Sequence, residues 1–341
     1  MMGISLATLP VGKILVRDIY DARGRLLLPR GTLLQSFHIE RLLRLNHHTV
    51  FIGDDEASAR TKGLLPNAFV TAVGRVRDMM ERLMLGEVVP GDEVEETVDL
   101  LYPEIINTNS ILTCLRSLRK TDEYTFQHSV SVCVLAVKMG QTMKIAEKHL
   151  RSLGIAGLLH DIGKSRIPPA ILNKAGELSR EERKQIVCHP IFGYEIVRDM
   201  QFEDSRIGIS VLQHHEHLDG KGYPLGVSNG DIHLFSRIVS VADVFDALTS
   251  ERLYRHRLPI PAAIEEIIDQ SGSHLDPLIA RRLLRYFLNV MPGEQVLLNN
   301  GELATVVLTH EAEPTRPLVR TGDRFLDLRM ERHLKVMDIW N

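Results

Sequence analysis

Apolar positions recur at helical spacing through the middle of the chain. Val130, Val134 and Val137 mark one face of a helix whose start Thr121 or Asp122 can cap. Leu158-Leu159 end a second apolar run, Ile186-Val187-Cys188 close a third, and Ile238 to Leu248 form a fourth that carries Asp243 within it. Pro190 suits the first turn of a further helix, where a missing N–H costs nothing. Upstream, Asn67 to Leu85 and Glu93 to Leu118 keep the helical period. Gly86 to Asp92 separates these two segments, and Tyr102-Pro103 is expected to break the second. The ends of the chain read differently. Lys13-Ile14-Leu15-Val16 and Leu26-Leu27-Leu28 read as strands around an Asp21-Ala22-Arg23-Gly24 turn, Ile39 to Leu45 as a short helix, and Thr49-Val50-Phe51-Ile52 as another strand. Beyond Met291-Pro292-Gly293, Val296-Leu297-Leu298 and Ala304 to Leu308 flank Asn299-Asn300-Gly301 as a hairpin, and Pro317-Leu318-Val319 with Phe325 to Leu328 suggests a second pair. The pattern predicts a mainly α protein with a small α+β module before the helices and a β-hairpin appendage after them.

Composition narrows the setting. No apolar run approaches the roughly 18 residues needed to span a bilayer. The start, Met1-Met2-Gly3-Ile4-Ser5-Leu6, lacks the basic segment and long apolar stretch of a secretory signal. No transmembrane segment and a cytoplasmic location are therefore expected. Cys114, Cys133 and Cys188 are odd in number and show no paired spacing, which points to reduced thiols. With 41 basic and 44 acidic residues, the chain is near neutral, which argues against broad nucleic-acid binding through a basic surface. A small anionic ligand needs only a local cationic pocket.

Candidate chemistry concentrates in two clusters. His214-His215-Glu216-His217-Leu218-Asp219-Gly220-Lys221-Gly222-Tyr223-Pro224 sets adjacent imidazoles before a carboxylate and a glycine-rich loop, and reads as half of a metal site. Leu158-Leu159-His160-Asp161-Ile162-Gly163-Lys164 ends an apolar run with a His-Asp pair and a lysine. A hydrolytic metal centre needs imidazole nitrogen and carboxylate oxygen converging from several segments. Adjacent ligands such as His160 and Asp161 reach one site only where a helix ends, and Gly163 can take the left-handed conformation that ends it. A carboxylate has two oxygens, so Asp161 can bridge two metals. His128, His189 and Asp243 lie on apolar segments and complete the candidate set; an unpaired carboxylate as buried as Asp243 is expected to be would call for a nearby cation. For His47, His48, His149, His233, His256, His274 and His310 a hydrogen-bonded core position or plain exposure is the simpler reading.

Together these residues resemble the HD-GYP family, a branch of the HD phosphohydrolase superfamily, over about residues 105–292. His160-Asp161 gives the HD and Gly222-Tyr223-Pro224 the GYP, with Lys164, Pro190 and the run from Asp243 to Arg255 in the same order. The resemblance implies an HD-type helical bundle that hydrolyses the bacterial second messenger cyclic di-GMP to linear pGpG, through a hydroxide bridging two metals. Further cleavage to GMP is left open. It implies His128, His160 and Asp243 on one metal, His189, His214 and His215 on the other, and Asp161 between them. Some relatives carry a glutamate four residues before the first histidine for an additional metal; here that position is Tyr124, next to Glu123, so two metals are expected. The mixed donor set suits iron, manganese, zinc, cobalt or nickel, and the resemblance favours iron or manganese.

The same resemblance gives Lys164 a catalytic and phosphate-binding place beside Asp161, and makes Arg252 and Arg255 substrate contacts, their three-residue spacing setting them on one helix face. Tyr223 is expected to contact substrate or a partner, and Asp219 to support a metal-bound histidine from behind; the simpler alternative is that both only shape the turn. The chain then divides into a small N-terminal module at 1–60, a helical connector at 61–104, the phosphodiesterase domain at 105–292 and a β-rich appendage at 293–341. Partners in keeping with this are cyclic di-GMP, a second copy of the chain, and a signalling protein met through the GYP loop or the N-terminal module. Two alternatives stay open: a metal phosphohydrolase acting on another nucleotide, and a non-catalytic scaffold that binds cyclic di-GMP.

Overall fold

The computed structural model describes residues 2–5, 14–15, 19–20, 26–28, 42, 49–53, 56–108, 115, 124–174, 176–250 and 257–339. The chain divides into two compact units, Met1–Asn67 and Ala68–Asn341. In the first, β1 (Met2–Ser5), β2 (Ile14–Leu15) and β5 (Thr49–Gly53) make an antiparallel sheet with β5 in the middle, while β3 (Ile19–Tyr20) pairs with β4 (Leu26–Leu28). The hairpin around Asp21 to Gly24 is thus closed by Ile19–Tyr20, and Ile14–Leu15 belongs to the other sheet. The helix expected over Ile39 to Leu45 lies outside the described residues except for Leu42.

Helix α1 (Glu56–Met84) leads to α2 (Gly91–Asn107), which keeps Pro103 inside it. The expected break at Tyr102-Pro103 does not occur. A proline there leaves the carbonyl of Asp99 without its N–H partner, and Asp99 is exposed, so water can serve that carbonyl. Helix α3 (Tyr124–Thr142) carries Val130, Val134 and Val137 fully buried, with Val132, Cys133 and Leu135 buried between them. It is therefore enclosed on all sides rather than amphipathic. Burial pushes the Cys133 thiol up to about 12, which suits an inert packing residue. Lys138, also buried on α3, donates to the Ile105 and Thr108 carbonyls at 2.8 and 2.6 Å. It thereby sets a cation at the C-terminal end of α2, where the helix dipole favours one.

Helix α4 (Glu147–Leu159) is buried at every residue from Ser152 to Leu159 and packs against α3. A 3-10 turn (Ile162–Arg166) follows, then α5 (Pro169–Leu172), α6 (Arg180–Val187), α7 (His189–Asp199), α8 (Arg206–Gln213) and α9 (Leu234–Thr249). Pro190 takes the first turn of α7. α10 (Ile260–Asp269) and α11 (Pro277–Val290) complete the helical layer; the Asp276 carboxylate caps α11 by accepting from Leu278 and Ile279 N–H. The chain ends in a five-stranded antiparallel sheet of β6 (Gln295–Leu298), β7 (Leu303–Leu308), β8 (Leu318–Thr321), β9 (Arg324–Asp327) and β10 (Val336–Ile339), in the order β10-β6-β7-β8-β9. Gly301, at φ +84°, turns the first hairpin. The protein is mainly α, as its pattern predicts, and no helix among the described residues is long and apolar enough to cross a membrane.

Candidate metal centre

Three of the candidate histidines stand where a helix has just ended. His160 follows the last residue of α4, His189 stands just past α6, and His214 follows α8. In each case Nδ1 donates to the carbonyl three residues back: His160 to Gly157 at 2.9 Å, His189 to Ile186 at 2.8 Å, His214 to Val211 at 2.7 Å. A helix terminus leaves such carbonyls without intrahelical partners. The bond therefore satisfies the helix end, fixes the tautomer and turns the Nε2 lone pair away from it. His128, within α3, reaches the same arrangement through a carboxylate, its Nδ1 donating to Asp246 at 2.7 Å.

The freed Nε2 atoms converge. Those of His128 and His160 stand 3.2 Å apart, and those of His189 and His214 3.3 Å. Asp161 lies between the pairs: Oδ2 is 3.3 Å from His160 Nε2, and Oδ1 is 3.2 Å from His189 Nε2. Asp243 Oδ1 is 3.1 Å from His128 Nε2. Donor atoms of His128, His160 and Asp243 lie within 4.8 Å of one another, and so do those of Asp161, His189, His214 and His215.

These residues fit a divalent metal. Asp161 Oδ1 is buried and has no hydrogen-bond partner, and an orphaned buried carboxylate oxygen is costly unless a cation meets it. Imidazole and carboxylate donors together suit first-row transition metals. The electrostatics agree. Burial would raise the Asp161 pKa, yet Lys164, His160 and His189 hold it well below the carboxylate range. Burial drives His215 down to about 3, and drives His214 well below the ordinary imidazole value with help from His215, His160 and His189. Both stay neutral and able to coordinate. Burial disfavours a charged His128, but Asp243 and Asp246 outweigh it and raise its pKa. The two carboxylates thus make a spot that favours positive charge.

The surrounding residues sort into different places. Lys164 Nζ donates to Asp161 Oδ2 at 2.5 Å and lines the same cleft. Tyr223 stacks on His215 with ring centroids 4.7 Å apart and an angle of 30°. Asp219 does not support a ligand histidine: its carboxylate accepts from Lys221 N–H at 3.0 Å and pairs with Lys221 Nζ at 3.3 Å. An aspartate two residues before that N–H closes its own turn, and this local bond wins. The carboxylate behind a candidate ligand is Asp246. Its signal in the sequence was its place three residues after Asp243, on the same helical face. Glu216, also missed, is buried and accepts from Leu225, Gly226 and Val227 N–H at 2.6, 3.2 and 3.1 Å, holding the loop that carries Tyr223. Gly163 has no left-handed backbone; it lies within the 3-10 turn. Its requirement is space, since a Cβ there would fall 2.0 Å from the His189 carbonyl oxygen. Arg252, Arg255 and Glu123 lie outside the described residues, and of Tyr124 only the backbone, in α3, is described.

Residues 112–279 match the family described as HD domain. A cyclic di-GMP phosphodiesterase of Pseudomonas aeruginosa is 32% identical over 249 residues, covering 73% of this chain and 60% of that protein. A 3'3'-cGAMP-specific phosphodiesterase of Vibrio cholerae is 35% identical over 171 residues, covering 50% of this chain and 37% of that protein. The chain thus spans less than two thirds of the length of these relatives. Among solved structures, an HDG"Y"P protein from Bdellovibrio bacteriovorus shares the fold at a TM-score of 0.51, with 19% identity, over 83% of this chain and 97% of that one.

Proposed function

We propose, since residues 112–279 belong to the HD domain family and carry the HD-GYP pattern, that this chain is a metal-dependent phosphodiesterase opening cyclic di-GMP to linear pGpG. The observation that carries the reading is Asp161, its two oxygens turned to two separate groups of imidazole nitrogens. His128, His160 and Asp243 would hold one divalent ion in this reading and His189, His214 and His215 the other, with Asp161 a candidate ligand to both. Iron or manganese is the preferred metal. Bound there, the pair would supply Lewis acidity and a lowered water pKa for attack on a phosphodiester.

The chain's own groups do the rest. Lys164 offers its ammonium to a non-bridging phosphate oxygen, exchanging Asp161 for the substrate as its partner. Arg252 and Arg255 are further phosphate contacts in this reading. Tyr223, stacked on His215 and held through the Glu216-anchored loop, is the further substrate or partner contact in this reading. The protein acts in the cytoplasm as a single chain or a homodimer.

The similarity to a 3'3'-cGAMP-specific enzyme favours a second reading, in which the substrate is a mixed cyclic dinucleotide and the reaction is the same. One experiment separates the possibilities: anaerobic purification with metal quantification, followed by parallel digests of cyclic di-GMP, 3'3'-cGAMP, cyclic AMP and dGTP. Release of pGpG from cyclic di-GMP ahead of the others is the expected result. Binding of cyclic di-GMP by metal-loaded protein with no pGpG released would leave a scaffold instead.

A further inference from the structure

The cleft that holds His128, Asp161, Lys164, His215 and Asp243 has a volume of about 720 Å³, within the range of roughly 300–1,000 Å³ usual for ligand pockets. Its lining is of two kinds. One is the polar centre already described. The other is apolar and includes Met80, Met84, Phe126, Leu172 and Leu248. Met80 and Met84 stand four residues apart near the end of α1, so they share one helical face. Met80 is buried, while Met84 keeps 46% of its surface exposed, a large apolar side chain left open on a cleft. Phe126 lies on α3, two residues before His128.

A phosphodiester alone would use only the polar groups. A ligand that meets both kinds carries a flat apolar group beside its phosphate, and a nucleobase is such a group: its face stacks on aromatic rings, and thioethers contact rings favourably. We propose that Met84, with Met80 and Phe126, forms the nucleobase-binding wall of this cleft, so that the end of α1 is part of the substrate site. The proposal rests on the phosphodiesterase reading for its ligand, a guanine-containing cyclic dinucleotide. Met84 sets affinity and substrate choice; it has no part in breaking the bond.

The test measures, on the same metal-loaded preparations, the Kd for cyclic di-GMP and the kinetics of pGpG release, for the wild type, Met84→Ala, Met84→Leu and Met84→Glu. Met84→Ala is expected to raise Kd and KM about three- to tenfold, the scale of a sulfur–ring contact. Its kcat should move less than its KM, and bound metal should stay at the wild-type level. Met84→Leu restores affinity, because the apolar area returns, and Met84→Glu weakens it further. Equal Kd in all four proteins overturns the proposal. So does a loss confined to kcat, or a fall in bound metal that tracks the loss of affinity. A wild type that binds cyclic di-GMP without releasing pGpG, with affinity still falling in Met84→Ala, sinks the catalytic reading and supports the wall. A wild type that binds no cyclic dinucleotide overturns both.

Discussion

Asp161 and Lys164 share a hydrogen bond, yet their removal should have separable consequences. Asp161→Ala is expected to abolish turnover and to lower bound metal, because it takes one oxygen from each donor group. Lys164→Ala should keep the metal and lose rate by about 100- to 1000-fold, the range for one lost charge-stabilising donor; metal analysis beside kinetics reads both, and equal metal loss would refute the separation. Asp246→Asn tests the carboxylate behind His128: metal affinity or activity should drop about 10- to 100-fold, as for comparable partners of ligand histidines, in a chelator competition assay. The seven candidate ligands were legible as a set because their order and spacing resemble the HD-GYP pattern; a histidine or aspartate on an apolar segment, taken singly, reads more simply as a core residue. Asp246 was not legible, since its spacing from Asp243 puts it on the same helical face but only the fold brings it to His128 Nδ1, behind the Nε2 that meets Asp243. Titration follows from the same burial. His214, His215, His217, His233 and His274 all have pKa values lowered first by burial, against His128 raised by its carboxylates. Below about pH 6.5 the unfolded chain gains protons that the folded one refuses at the five lowered sites. His128 acts in the opposite sense, its contribution present below that pH and lost as pH rises through its raised value. The chelated protein should therefore lose stability as pH falls from 6.5 toward the His215 value of about 3. Urea midpoints at pH 7.5, 6 and 4.5 check it, and His215→Asn should flatten the slope.

Elements were legible where one face or one breaker decided them. α3, α4 and α9 follow their apolar runs, and Pro190 opens α7. Pro103 misled because the cost of a proline depends on what happens to one carbonyl, and that carbonyl belongs to exposed Asp99. Gly163 was noticed for the wrong reason: sequence suggests a backbone angle, whereas the structure demands room beside His189. The GYP loop is governed by an element-level feature that spacing conceals, the reach of Glu216 across nine to eleven residues to three backbone N–H groups. Glu216→Ala leaves those donors without their acceptor and should destabilise the protein by about 2–4 kcal/mol. Thermal denaturation should show the drop.

The whole molecule was legible as a mainly helical body with non-helical ends, and less so as a set of boundaries. Met2–Ser5 and Val336–Ile339 are strands of four residues, too short to announce themselves by alternation, and each finds its place only by pairing with a distant strand. Metal removal acts at this scale. Ligands that bind only the folded state add stability by mass action, about 4 kcal/mol at a thousand times Kd. Chelation should therefore lower the melting temperature, and restoring the metal should recover it, by differential scanning fluorimetry.

The three histidines tied to their own helix ends carry one more implication. A pair of ions joined through Asp161, one held by His160 and the other by His189 and His214, would rivet the final turns of three helices that are far apart in sequence, so that none could fray without the others. Amide protons around Gly157, Ile186 and Val211 should then exchange with deuterium at a common, slow rate in the loaded protein and at three unrelated rates once the rivet is drawn.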